Sequence, residues 1–167
     1  MGAMARAGWS DSVTPVAPPS SARPGVRTMA YAALVTGVWS GLLSLLVYGL
    51  ARLIGVPMQV EVAGSAQIVP WFGVLLLPIV AAEAGAIGSL VIRGRRGAGR
   101  IVFWVGTLIA VISVVPLIMQ PTEVSWATRI WLTVLHVITW LLVVPQIARI
   151  IGDSEPGMHA EREVVYT

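Results

Sequence analysis

The chain has no cysteine. It therefore has no disulfide, no thiolate nucleophile and no cysteine-held metal. It has no lysine either, so all eleven basic residues are arginine. Charged residues make up 11% of the sequence, against roughly 25% in an ordinary soluble domain, and a water-soluble fold is excluded on that ground. Histidine occurs twice, at His136 and His159. There is no HExxH pair and no glycine-rich phosphate loop following a strand. No metal or other cofactor is expected from such an inventory. The net charge of +3 comes from arginines grouped beside apolar runs, which reads as a topology signal and not as a nucleic-acid surface.

What the chain does contain is hydrocarbon. Hydrophobic residues account for 56% of it, and the mean hydropathy is +0.83. They fall into four blocks, 29–54, 68–92, 101–119 and 129–151. Each is long enough for a helix to cross a hydrocarbon layer of about 30 Å at 1.5 Å per residue. The blocks do not alternate as the strands of a barrel do. Unpaired backbone in lipid then leaves only helices. The expected fold is all-α: a polytopic membrane protein with a four-helix, up-down-up-down bundle. Residues 1–28, rich in Pro, Ser, Ala and Gly, are expected to be a disordered N-terminal segment. Residues 29–151 form the membrane domain, and 152–167 a polar tail. The eight-residue link 93–100 predicts that the second and third spans are antiparallel neighbours.

Arginines mark one face. Arg6, Arg23 and Arg27 precede the first span; Arg93, Arg95, Arg96 and Arg100 separate the second and third; Arg149 and Arg162 follow at the end of the fourth. Only Arg52 and Arg129 belong to the other face. The positive-inside rule puts both termini in the cytoplasm. An arginine-only basic set suggests a GC-rich bacterial genome, and hence the bacterial inner membrane.

Glu83 is the one ionisable residue inside the second block. A carboxyl in hydrocarbon costs several kcal/mol or more unless neutralised, paired or hydrated, so such residues are functional candidates by default. It lies ten residues, about 15 Å, from Arg93. No basic residue stands at its predicted depth, which favours a protonated, hydrogen-bonded acid over a salt bridge. Glu61, in an alternating Gln-Val-Glu-Val-Ala segment of the outer loop, is the competing acid. On the fourth span Arg129, Thr133, His136 and Trp140 are spaced four, three and four, and so share one helical face. On the first span Ser40, Ser44 and Tyr48 do the same, with Gly37 and Gly41 beside them as a small-xxx-small pair. Trp39 and Trp140 are too deep for an interfacial belt, whereas Trp71, Trp126 and Trp131 fit one.

An acid beside buried aromatic faces is what a carbocation reaction needs: the acid protonates an olefin or epoxide, and aromatic rings stabilise the cation. The expected catalytic residues are Glu83 or Glu61, with His136 assisting. The expected lining is Trp39, Tyr48, Trp71, Trp140, Arg129, Thr133 and Ser44. The expected partners are the bilayer and a lipophilic, isoprenoid-type substrate, with no nucleic acid and with a homo-oligomer left open. The alternative is a non-catalytic accessory subunit or an oligomeric transporter.

The outer Val-Glu-Val segment, the Ile-Val-Pro-Trp opening of the second span, the arginine-rich turn and the closing Leu-His-Val-Ile-Thr-Trp-Leu-Leu-Val-Val-Pro-Gln-Ile-Ala-Arg resemble a family of small actinobacterial four-helix membrane proteins of unassigned function, over about residues 29–150. That resemblance implies the fold and no activity. More loosely, the chain resembles small integral-membrane terpene cyclases of bacterial natural-product biosynthesis, which use membrane acids to protonate a prenyl chain. No catalytic motif of theirs aligns, so that resemblance carries over no residue.

Overall fold

The computed structural model describes residues 25–153, and the two terminal segments expected from the sequence lie almost wholly outside them. Four helices cover the apolar blocks: α1 (Val26–Leu53), α2 (Trp71–Ser89, prolonged by a 3-10 turn Leu90–Ile92), α3 (Ala98–Ile118) and α4 (Trp126–Gly152). All four are long and apolar enough to span a membrane. α1 begins at Val26, inside the segment expected to be unstructured. α2 begins at Trp71 and not at Ile68, because Pro70 caps it in an extended conformation. Proline suits the start of a helix, where its missing N–H has no intrahelical partner in any case. α4 starts at Ser125, whose hydroxyl accepts from the Thr128 N–H at 3.2 Å, a regular N-cap.

Contacts between named residues fix the directions of the helices. Gly37 lies on Ile79 and Ala82, and Gly41 on Leu75, so α1 and α2 run antiparallel. Ser40 bonds Thr139, while Met29 shares a cluster with Ile151 and Tyr48 one with Leu132, so α1 and α4 are antiparallel. Gly99 meets Ala148 and Gly152, and Gly106 meets Val144, so α3 and α4 are antiparallel too. The result is an up-down-up-down bundle. One end carries Gly25, Asp153 and the arginine-rich turn; the other carries the 54–70 and 119–125 connections.

Lipid tails are as apolar as leucine, so these interfaces gain from close van der Waals packing and not from the hydrophobic effect. Glycine supplies the closeness. A Cβ on Gly37 would stand 2.8 Å from the Ile79 Cα, closer than any real side chain sits. The spacing Gly37-xxx-Gly41 thus acts as the sequence suggests, bringing α1 and α2 into backbone contact.

The neighbour relation differs from the expected one. The extensive interfaces are α1–α2, α3–α4 and α1–α4, with a smaller α2–α4 contact; α2 and α3 share no comparable interface. Because α3 already begins at Ala98, the link is the five residues 93–97; it extends up to about 17 Å, still beyond the 8–10 Å between packed helices, so it joins the two helices without pressing them together. The glycine contacts commit α2 to α1 and α3 to α4. α3 is consequently the outlier, buried only at Ala98 and Gly99.

The outer connection is more ordered than an extended loop. Gln59–Val62 and Ser65–Ile68 form an antiparallel hairpin pairing Gln59 with Ile68 and Val62 with Ser65. Ala63 and Gly64 turn it with φ of 53° and 78°, the double positive φ of a type I′ turn. An isolated two-stranded hairpin is marginal. Here the Tyr48 hydroxyl donates to the Val69 carbonyl at 2.7 Å, the Glu61 N–H donates to Gln120 Oε1 at 2.8 Å, and Met58 is fully buried beneath it.

Candidate functional site

The fourth-span stripe points inward, and most of its polar groups bond to the backbone. The Thr133 hydroxyl donates to the Arg129 carbonyl at 2.8 Å, and Thr139 to the Leu135 carbonyl at 3.1 Å. Arg129, only 8% exposed, spends its guanidinium on the turn before α4. Its Nη1 donates to the Ile118 carbonyl (2.9 Å), its Nη2 to Pro121 (2.7 Å) and its Nε to Val124 (3.3 Å), and it lies 4.7 Å from the Trp126 ring centroid. Arg129 thus caps the end of α3 and locks the α3–α4 turn.

His136 and Trp140 behave differently. His136 Nδ1 is 2.8 Å from the Leu132 carbonyl. A carbonyl only accepts, so Nδ1 carries the proton there. In the neutral ring this leaves the Nε2 lone pair unused. Trp140 Nε1 donates to the Thr107 hydroxyl at 3.0 Å, which donates in turn to the Phe103 carbonyl at 2.7 Å. Phe103 packs edge-on against Trp140, centroids 6.2 Å apart, and against Trp104 at 5.6 Å. Beside this knot, α3 and α4 enclose an open cleft of about 270 Å³, lined by Thr107, Ala110, Val111, Val114, His136, Val137 and Trp140. Its walls are apolar except for His136 and the already bonded Thr107 and Trp140.

The other expected residues stand elsewhere. Glu83 follows Ala82, which packs on Gly37 of α1, by about 100° around the helix. Gly85, which faces Ile147 of α4, is a further 200° on. Glu83 therefore sits half-buried on the α1 flank of α2, turned away from α4. It makes no hydrogen bond or ion pair with another described residue. Glu61 is in the hairpin, half-buried. Trp39 is 66% and Trp71 60% exposed on the bundle surface. Tyr48 is buried and committed to Val69. Ser44 is buried, and its hydroxyl has no partner among the described residues. The expected single cavity gathering all of these is thus not how they are arranged. Helical spacing fixes the face of each helix, but the α1–α4 contact lies between the α1–α2 flank and the α3–α4 cleft. No group of three or more metal-ligating side chains occurs among the described residues.

Thr107 and Phe103 were not anticipated. A signal did exist: Thr107 and Ser113 are the only hydroxyl side chains in α3, and a solitary polar group in an apolar span commonly marks a helix contact.

Fold and cleft together define a small polytopic membrane protein with a lipid-accessible groove on one side. The chain belongs to the family of unknown function DUF6069, which it matches over residues 22–152. No curated protein and no solved structure matches it.

Proposed function

We propose that this membrane protein takes a lipophilic, isoprenoid-type chain into the α3–α4 cleft and isomerises it by proton transfer through His136. The carrying observation is that His136 is the one titratable side chain lining an otherwise apolar, aromatic-floored cleft. In an acid-initiated cyclisation, the Nε2–H of a protonated His136 gives its proton to an alkene or epoxide. A carbon–carbon bond closes on the resulting cation, and Nε2 takes a proton back from a neighbouring carbon. The net change is isomerisation, with no cofactor consumed. The Trp140 ring, the one aromatic side chain lining the cleft, stabilises the intermediate cation. This reading keeps the lipophilic substrate expected from the sequence and moves the proton-exchanging role from the acids to the histidine. The arginine distribution supports placement in a bacterial inner membrane with the terminal end facing the cytoplasm.

Turnover is the test. Purified protein in neutral detergent is incubated with prenyl alkenes and terminal epoxides, alongside His136→Gln, Glu83→Gln and Glu61→Gln. The reading expects cyclised product from the wild type and both acid variants, and a loss of 10²-fold or more in His136→Gln, the usual scale of general acid–base catalysis. Product lost only in Glu83→Gln returns the role to that acid. No product from any substrate removes the catalytic reading.

One observation favours a second reading, a non-catalytic subunit or oligomer. The Glu83 carboxyl, at membrane depth, has no partner among the described residues, and a second chain could supply one. Mass measurement in detergent, wild type against Glu83→Leu, decides it. An oligomer that falls apart in the variant supports this reading; a monomer in both ends it.

A further inference from the structure

The face of α3 that lines the cleft carries a cation nearer its arginine-rich end. Thr107 and Val114 line the cleft, and they are seven residues apart, hence on one face of the helix. Continuing the same spacing toward the terminal end gives Arg100, which is exposed. Arg100 lies about 10 Å below Thr107 and about 21 Å below Val114, where the helix leaves the apolar layer at the arginine-rich turn. Arg95 and Arg96, also exposed, precede it in that turn. None of the three guanidinium groups makes a hydrogen bond or ion pair with another described residue. A single stripe of α3 therefore places a guanidinium with no partner among the described residues in line with the hydrocarbon groove.

Such a stripe matches an amphiphile. Its apolar length lies between α3 and α4, and its head reaches arginine fork donors whose geometry fits phosphate. We infer that the cleft's ligand is an isoprenoid chain bearing a phosphate head, held by Arg100 with Arg95 and Arg96 adding to the field. This rests on the cleft being the chain-binding site and adds the chemistry of the head. Charge complementarity selects the occupant. A neutral chain leaves the arginines unused, and an acidic peptide cannot lay hydrocarbon along the groove.

The probes are two diazirine-bearing farnesyl chains alike except at the head, the monophosphate and the free alcohol. Each is photolysed with the protein in phosphatidylcholine nanodiscs. Labelling of the peptides around Thr107–Val114 and His136–Trp140 is measured relative to the rest of the bundle. The monophosphate should label the cleft about five-fold more than the alcohol, the factor expected from one arginine at a membrane surface. Arg100→Gln should bring the two probes level while preserving cleft labelling. Arg149→Gln should leave the preference intact, because Arg149 is thirteen residues from His136 and so some 140° around α4 from it. Ala110→Phe, which fills the groove, should suppress both probes. Equal cleft labelling by the two probes in the wild type overturns the phosphate head but leaves the chain-binding site standing. Labelling no denser in the cleft than elsewhere overturns both. Arg100 is exposed, so its replacement leaves the bundle folded.

Discussion

Replacing Arg129 with methionine removes every side-chain donor that holds the α3–α4 turn. Three carbonyls lose a partner: Ile118, Pro121 and Val124. Val124 is buried, whereas Ile118 and Pro121 are exposed. A buried acceptor left unsatisfied costs about 1–3 kcal/mol, and an exposed one recovers most of its loss from water. Methionine also relieves the cost of holding a charge at 8% exposure. The expected net destabilisation is about 1–3 kcal/mol. Arg129→Lys keeps the charge but presents a point donor in place of a planar fork, and should lose about half as much. Denaturant titration in neutral detergent, followed by circular dichroism, gives both values. A methionine variant within about 0.5 kcal/mol of wild type, the range of a neutral surface change, refutes the capping role. If Arg129 instead contacted a ligand, the variant would bind less well at unchanged stability.

The glycines of α1 and α2 give a paired prediction. Gly41→Leu should separate the two helices and abolish the folded bundle on size exclusion, because a Cβ there collides with the Leu75 carbonyl. Gly88→Ala should stabilise it by up to about 1 kcal/mol, since no atom lies within 4 Å of the new methyl and alanine is the better helix former. In the hairpin, Ala63 holds φ of 53°, which costs a side-chain-bearing residue about 1–2 kcal/mol. Ala63→Gly should therefore raise the thermal unfolding midpoint, and a fall would show that the turn is not strained.

Individual residues show how far the sequence could be read. The four spans were legible because hydrocarbon admits only internally bonded backbone, whereas their starts each fall three residues from the expected ones, at α2 and α4 because Pro70 and Ser125 act as caps. The Gly37–Gly41 contact was legible as a spacing. The inward face of α4 was legible too, because Arg129, Thr133, His136 and Trp140 recur at helical intervals. Their roles were not. Arg129 serves the turn before it and Trp140 serves Thr107, and neither partner can be named from α4 alone. The hairpin was half visible: the alternation at Gln59–Val62 indicated a strand, but its mate at Ser65–Ile68 carries no such alternation and reads as loop leading into the second span. Glu83 stands out as the one acid of its span, but the hydrogen bond expected for it is not made to any described residue, and nothing in its own helix indicated which neighbour it would face.

The sequence by itself determined the number, length and alternating direction of the helices, because crossing a hydrocarbon layer constrains each segment independently of the others. It also determined which face of each helix is small, polar or apolar, because 3.6 residues per turn is a local property. Only the tertiary structure decided which faces meet. Pairing depends on where glycine lets two backbones approach, and those contacts set α2 against α1 and α3 against α4. That choice leaves Glu83 on one side of the bundle and His136 on the other, and it opens the groove that runs from Thr107 to Val114.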